Sequence, residues 1–163
     1  MSPSRRGLLR AGRGVAAAAL LTRAAPAAAQ ERSDGDLLRG LLGVEQEAAL
    51  VYGTLRPVPP VPARLFREQS REHARGLGIA LRNRGGREPR PPARVGRASP
   101  AHALELELQA LAAYHRAVGE LGDASLLPTL ASIMANHGQH AVVLRQALRR
   151  DPLPSAFAGA RVR

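Results

Sequence analysis

From Asp34 onward, apolar residues recur at three- and four-residue steps in four successive stretches, each closed by prolines or glycines. Only helices bury such a spacing along one side, so the pattern restricts the chain to an all-α fold. Leu38, Leu41, Leu42, Ala48, Ala49 and Tyr52 place a first helix from about Asp36 to Leu55, with Asp34 or a neighbour as cap, and Pro57-Val58-Pro59-Pro60 ends it. A second starts near Pro62, carries Leu65, Phe66, Leu77, Ala80 and Leu81 on one side, and stops in Asn83 to Gly86. Ser99-Pro100 is an N-cap and first-turn pair for a third helix bearing Leu104, Leu108, Leu111, Tyr114 and Val118, which Gly122-Asp123 breaks. The fourth begins between Ser125 and Pro128 and carries Ile133, Val143, Leu144 and Leu148 to about Arg150, where Pro152 and Pro154 forbid continuation. Two short connections and one longer Gly/Pro/Arg-rich connection over residues 85–98 make this a four-helix bundle. An aromatic content of 2% against 45% hydrophobic residues argues the same way, too apolar for disorder and too poor in aromatics for most β-sandwiches.

The first thirty residues follow a different logic. Ser4-Arg5-Arg6-Gly7-Leu8-Leu9-Arg10 leads into an Ala/Leu stretch through Leu21, and Ala27-Ala28-Ala29 precedes Gln30. A basic start, a short apolar run and small residues at a cleavage point describe an export signal. The Arg5-Arg6 pair followed by two leucines resembles the twin-arginine signal, which implies an exported protein of the periplasm, cell envelope or extracellular space. The apolar run is too short to cross a bilayer, so membrane contact is expected only through an uncleaved signal. The expected organisation is a signal over residues 1–29 and one domain over residues 30–163.

Charge narrows the partners. All 24 basic residues are arginine, against 13 acidic ones; five of those arginines and no acid precede Gln30, leaving 19 basic groups and a net charge of +6. Arg84-Gly85-Gly86-Arg87 has no interleaved aromatic on which a base could stack, so no nucleic-acid partner is expected. The chain has no cysteine, which excludes disulfides, thiolate metal sites and a lipid-anchored cysteine.

Soluble helices keep carboxylates and histidines on the wet side, so the informative positions are those inside an apolar stripe. Each helix has one. Glu45 is flanked at three- and four-residue offsets by Leu41, Leu42, Ala48 and Ala49, with Tyr52 two turns on; Glu107 is flanked by Ala103, Leu104, Ala110 and Leu111, with Tyr114 two turns on. His73 shares its face with Phe66, Leu77 and Ala80, and Ser70 stands one turn before it. His140 shares its face with Ile133, Val143, Leu144 and Ala147, and His137 stands one turn before it. Glu68, Glu72, His102 and His115 fall off these stripes and are expected at the surface. Two buried carboxylates need protons, arginine partners or a cation, and divalent metals accept carboxylate oxygen together with imidazole nitrogen.

A Glu on each of two helices and an x-x-His on each of the other two resembles the ligand set of ferritin-like carboxylate proteins, whose pattern carries Glu-x-x-His on the second pair. The segments Leu42-Gly43-Val44-Glu45-Gln46, Arg71-Glu72-His73-Ala74, Gln139-His140-Ala141 and Asp151-Pro152-Leu153-Pro154-Ser155-Ala156-Phe157 are similar to exported bacterial ferritin-like domain proteins. The resemblance implies an iron-type metal core. Ser70 and His137 stand where the pattern has bridging carboxylates, and Glu45 and Glu107 alone balance one divalent ion, so a working di-iron centre is not expected. The expectation is one divalent ion, Fe, Mn or Zn, held by Glu45, His73, Glu107 and His140 with His137 as an optional fifth ligand. The alternative is a metal-free scaffold with an interaction role in the envelope. An enzyme of ferroxidase or peroxidase type would need replacements for two carboxylates, and pairing of two copies is left open.

Overall fold

The structure, a computed structural model, describes residues 34–154 except 92 and 94. The expected signal and the closing Ser155-Ala156-Phe157 lie outside the described residues. Four α-helices, α1 (34–54), α2 (Ala63–Arg82), α3 (Pro100–Glu120) and α4 (Leu127–Ala147), and a 3-10 turn at Ala124–Leu126 make up the regular structure, with no strand among the described residues. None of the described helices is long and apolar enough to cross a membrane.

Local chemistry sets the helix ends. Ser99 caps α3 by accepting from the His102 backbone N–H at 3.1 Å, with Pro100 in the first turn as its spacing predicts. After α2 the chain turns through Gly85 at φ 70, and the Gly86 N–H donates to the Leu81 carbonyl at 2.9 Å. A Cβ at Gly86 would lie 2.2 Å from Leu81 Cδ1, so this turn has no room for a side chain. Two ends differ from the sequence reading. Asp34 is already helical, and its carboxylate accepts from the Gly122 and Asp123 backbone N–H groups, both at 2.9 Å, which ties the start of α1 to the turn before α4. The helix α4 closes at Ala147 rather than near Arg150, because Arg149 adopts φ 54, outside the helical region.

The core consists of two apolar clusters stacked along the helices. One holds Leu38, Leu41 and Leu42 of α1, Leu77 and Leu81 of α2, Tyr114 of α3, and Leu130 and Ile133 of α4. The other holds Val51 and Tyr52 of α1, Phe66 of α2, Leu104 and Leu111 of α3, and Ala141 and Leu144 of α4. The order in which each helix visits them fixes its direction: α1 and α4 run one way, α2 and α3 the other. The connection from α2 to α3 therefore travels the length of the core, while the other two are short turns. At its start Arg84 pairs with Asp123 and donates to the Ala80 carbonyl at 3.1 Å; at its end Thr54 Oγ1 donates to Gly96 O at 3.0 Å, and Ala98 N donates to Thr54 O at 3.3 Å. The Gly/Pro/Arg-rich connection is thus pinned at both ends, which composition alone does not show.

Candidate metal centre

Between the two apolar clusters, every helix turns a polar residue inward. Glu45, Ser70, Glu107, His137 and His140 are fully buried, and the two carboxylates and two imidazoles form a polar layer across the middle of the core. His73 reaches the same layer from its rim, with 16% of its side chain exposed. Glu68, Glu72, His102 and His115 are exposed, as their positions off the apolar stripes predict.

His137 stands at the centre of this layer. Its Nδ1–H donates to Glu107 Oε2 at 2.6 Å and its Nε2–H to Glu45 Oε1 at 2.8 Å, so one ring joins α1, α3 and α4. His73 Nδ1 faces Glu45 Oε2 at 3.3 Å and His140 Nδ1 faces Glu107 Oε1 at 3.2 Å. The other side of the His140 ring meets the Gln69 side-chain amide at 2.8 Å and stacks on Phe66 with centroids 3.8 Å apart. The two tyrosines cross over: Tyr114 of α3 donates to Glu45 Oε1 of α1 at 2.6 Å, and Tyr52 of α1 donates to Glu107 Oε1 of α3. Because α1 and α3 are antiparallel, the repeated Glu-x6-Tyr spacing places each phenol beside the other helix's carboxylate.

The electrostatics follow from these contacts. Burial on its own would raise the Glu45 carboxyl, but hydrogen bonds from His137 and His73, the His137 charge and the Tyr114 hydroxyl outweigh it and hold the group down at about 2, from an ordinary 4.5. Glu107 is lowered likewise, burial being overcome by His137 and His140. Burial would depress His137, yet the hydrogen bonds and charges of Glu107 and Glu45 raise it to about 9, so the ring is an imidazolium between two carboxylates at neutral pH. Tyr52 and Tyr114 are pushed far above the ordinary phenol range by burial and by Glu107 and Glu45 respectively, and serve as permanent donors.

The five residues expected to hold a metal are therefore brought together, with one change of rank. His137, expected as an optional ligand, is the central group, because the fold directs both its ring nitrogens at carboxylates. Ser70 offers nothing to the layer, since its hydroxyl donates to the Phe66 carbonyl at 3.0 Å, one turn back along α2. Sequence reasoning missed Gln69; its signal is the four-residue step to His73, which puts both on neighbouring turns of one face. Two ligand sets fit a cation: Glu45, His73 and His137, and Glu107, His137 and His140, each offering atoms within 4.8 Å of one another. A hard or borderline divalent ion suits this mixture of carboxylate oxygen and imidazole nitrogen.

Tyr52→Phe and Tyr114→Phe are each expected to lower stability by about 1.5–3 kcal/mol, the usual range for a hydrogen bond to a charged group. Urea unfolding of the two variants checks this, and unchanged midpoints in both would show that the phenols do not hold the carboxylates. In comparison with known proteins, no family model, no curated protein and no solved structure matches this chain.

Proposed function

We propose that this chain is an exported ferritin-like protein that binds one divalent metal ion, Fe, Mn or Zn, in the middle of its core and carries no oxygen-activating di-iron centre. The observation that carries the reading is the convergence of two buried carboxylates and three imidazoles from all four helices on one layer. Support for the ferritin-like part comes from the single long crossover between α2 and α3, which in such bundles joins two helices running the same way. The twin-arginine pattern of Arg5-Arg6 supports export.

Charge sets the number of ions. Glu45 and Glu107 balance one divalent ion when the three histidines are neutral, and a bound ion takes the counterion role that the His137 imidazolium fills without it. Such an ion would supply Lewis acidity or a store of metal; the chain's own part is to fix the ligands through Tyr52, Tyr114 and Gln69 and to exclude water with the flanking clusters.

A second reading, a metal-free scaffold, is favoured by one specific observation. Both carboxylates already have histidine and tyrosine partners, and the buried side-chain polar atoms without a partner among the described residues, Gln46 Oε1, Arg67 Nε and Asn136 Oδ1, belong to none of the five site residues. Elemental analysis of the full chain purified without added metal separates the two. The metal reading expects about one equivalent per chain, two carboxylates offsetting one divalent charge, lost when Glu45→Gln and Glu107→Gln are combined. No metal, with a melting temperature indifferent to chelator and to added Zn or Mn, supports the scaffold instead.

A further inference from the structure

The two candidate ligand sets share one residue, and they share it through different atoms. Glu45 and His73 lie on the Nε2 side of the His137 ring, Glu107 and His140 on the Nδ1 side. Each side has its own carboxylate, its own outer imidazole and its own tyrosine. The ring itself cannot tilt to serve one side alone, because it is fully buried and held from both ends at 2.6 and 2.8 Å.

From this we infer that His137 is a bridging ligand: with metal in excess the layer accepts a second ion, and the two ions are joined through the imidazole ring, Nε2 on the Glu45–His73 side and Nδ1 on the Glu107–His140 side. Each ion replaces the hydrogen on the ring nitrogen it takes, so the doubly loaded ring is an imidazolate and both displaced protons go to solvent. The second ion exceeds the charge that the two carboxylates balance, so it binds more weakly than the first. The inference rests on the metal-binding reading above, and it differs from a carboxylate-bridged pair because Ser70 and His137 occupy the positions where bridging carboxylates would stand.

Cu2+ is the probe, since imidazole-rich sites favour it over the other divalent first-row ions and it reports spin coupling directly. The full chain is titrated with Cu2+ and bound copper is compared with the integrated electron paramagnetic resonance signal. One equivalent should give the signal of an isolated ion. The second should bind and reduce the total signal rather than add to it, because an imidazolate couples the two spins antiferromagnetically. His73→Ala and His140→Ala each dismantle one side and keep the bridge residue, and each should bind one copper with an uncoupled signal. His73→Ala guards against misfolding, because His73 sits at the rim whereas His140 is buried against Phe66. A second copper that adds a full, independent signal overturns the bridge, as does saturation at one equivalent; both leave the metal-binding reading standing. No copper retained by the wild-type chain overturns both.

Discussion

Replacing His137 by leucine is expected to destabilise the metal-free protein more than any other single change in the polar layer. The substitution leaves the Glu45 and Glu107 carboxylates buried and removes the one cation that both contact. Breaking a buried ionic set by deleting one partner costs about 3–5 kcal/mol, which for a domain of this size corresponds to a fall of roughly 10–20 °C in melting temperature. Circular dichroism melts at pH 7 give the number. Two companions test the cause. His137→Leu should regain stability on acidification, when its stranded carboxylates take up protons, whereas the wild-type protein loses stability there. The triple variant with Glu45→Gln and Glu107→Gln should recover a large part of the loss, because the remaining groups are uncharged. A fall that neither acid nor the triple variant relieves would mean that His137 matters for its shape and not for its charge.

The second large effect is a stability plateau with two different flanks. Glu45 sits at about 2 in the folded chain against an ordinary 4.5, so its contribution is complete above 4.5 and is lost as pH falls from there toward 2. Glu107, lowered as well, steepens that acid limb. His137 works in the opposite sense: raised from 6.5 to about 9, it contributes fully below 6.5 and loses that contribution as pH rises from 6.5 through 9. Maximal stability of the metal-free protein is therefore expected between about 4.5 and 6.5. The Glu45 and His137 contributions should each amount to about 3 kcal/mol, at about 1.36 kcal/mol per pKa unit. The two losses are alternative ways of breaking one Glu–His–Glu contact and do not add. Urea midpoints measured across pH 3–10 test it, and constant stability between pH 6.5 and 9 would refute a charged His137.

Much of this layer is legible in the residues themselves. Glu45 and Glu107 stand out because their neighbours at three and four residues on both sides are apolar, and His140 because Val143 and Leu144 follow it at those steps; helical geometry turns such positions inward. His73, flanked at those steps by Gln69, Ser70 and Gly76 as well as Leu77, ends at the rim, and α2 exposes more of its length, with Leu65 and Ile79 both half exposed. Periodicity reports which way a side chain faces and says nothing of what it meets. That is why the central place of His137 and the crossed tyrosine pairs emerge only when the helix directions are known. Arg84 shows the same limit, since an arginine beside a Gly/Pro/Arg-rich connection reads as solvated until Asp123 is brought next to it.

The crossed tyrosines also bear on how the chain acquires its structure. The hairpin of α1 and α2 contains Glu45 and His73 but depends on Tyr114 and His137 from the other hairpin to finish satisfying that carboxylate. The hairpin of α3 and α4 needs Tyr52 for Glu107, and Gln69 for His140. Neither half can close its polar layer from its own residues, so a lone hairpin would have to leave it wet or protonated. Assembly is thereby committed to docking both halves in a single cooperative event, and two separately expressed halves would gain order only on meeting.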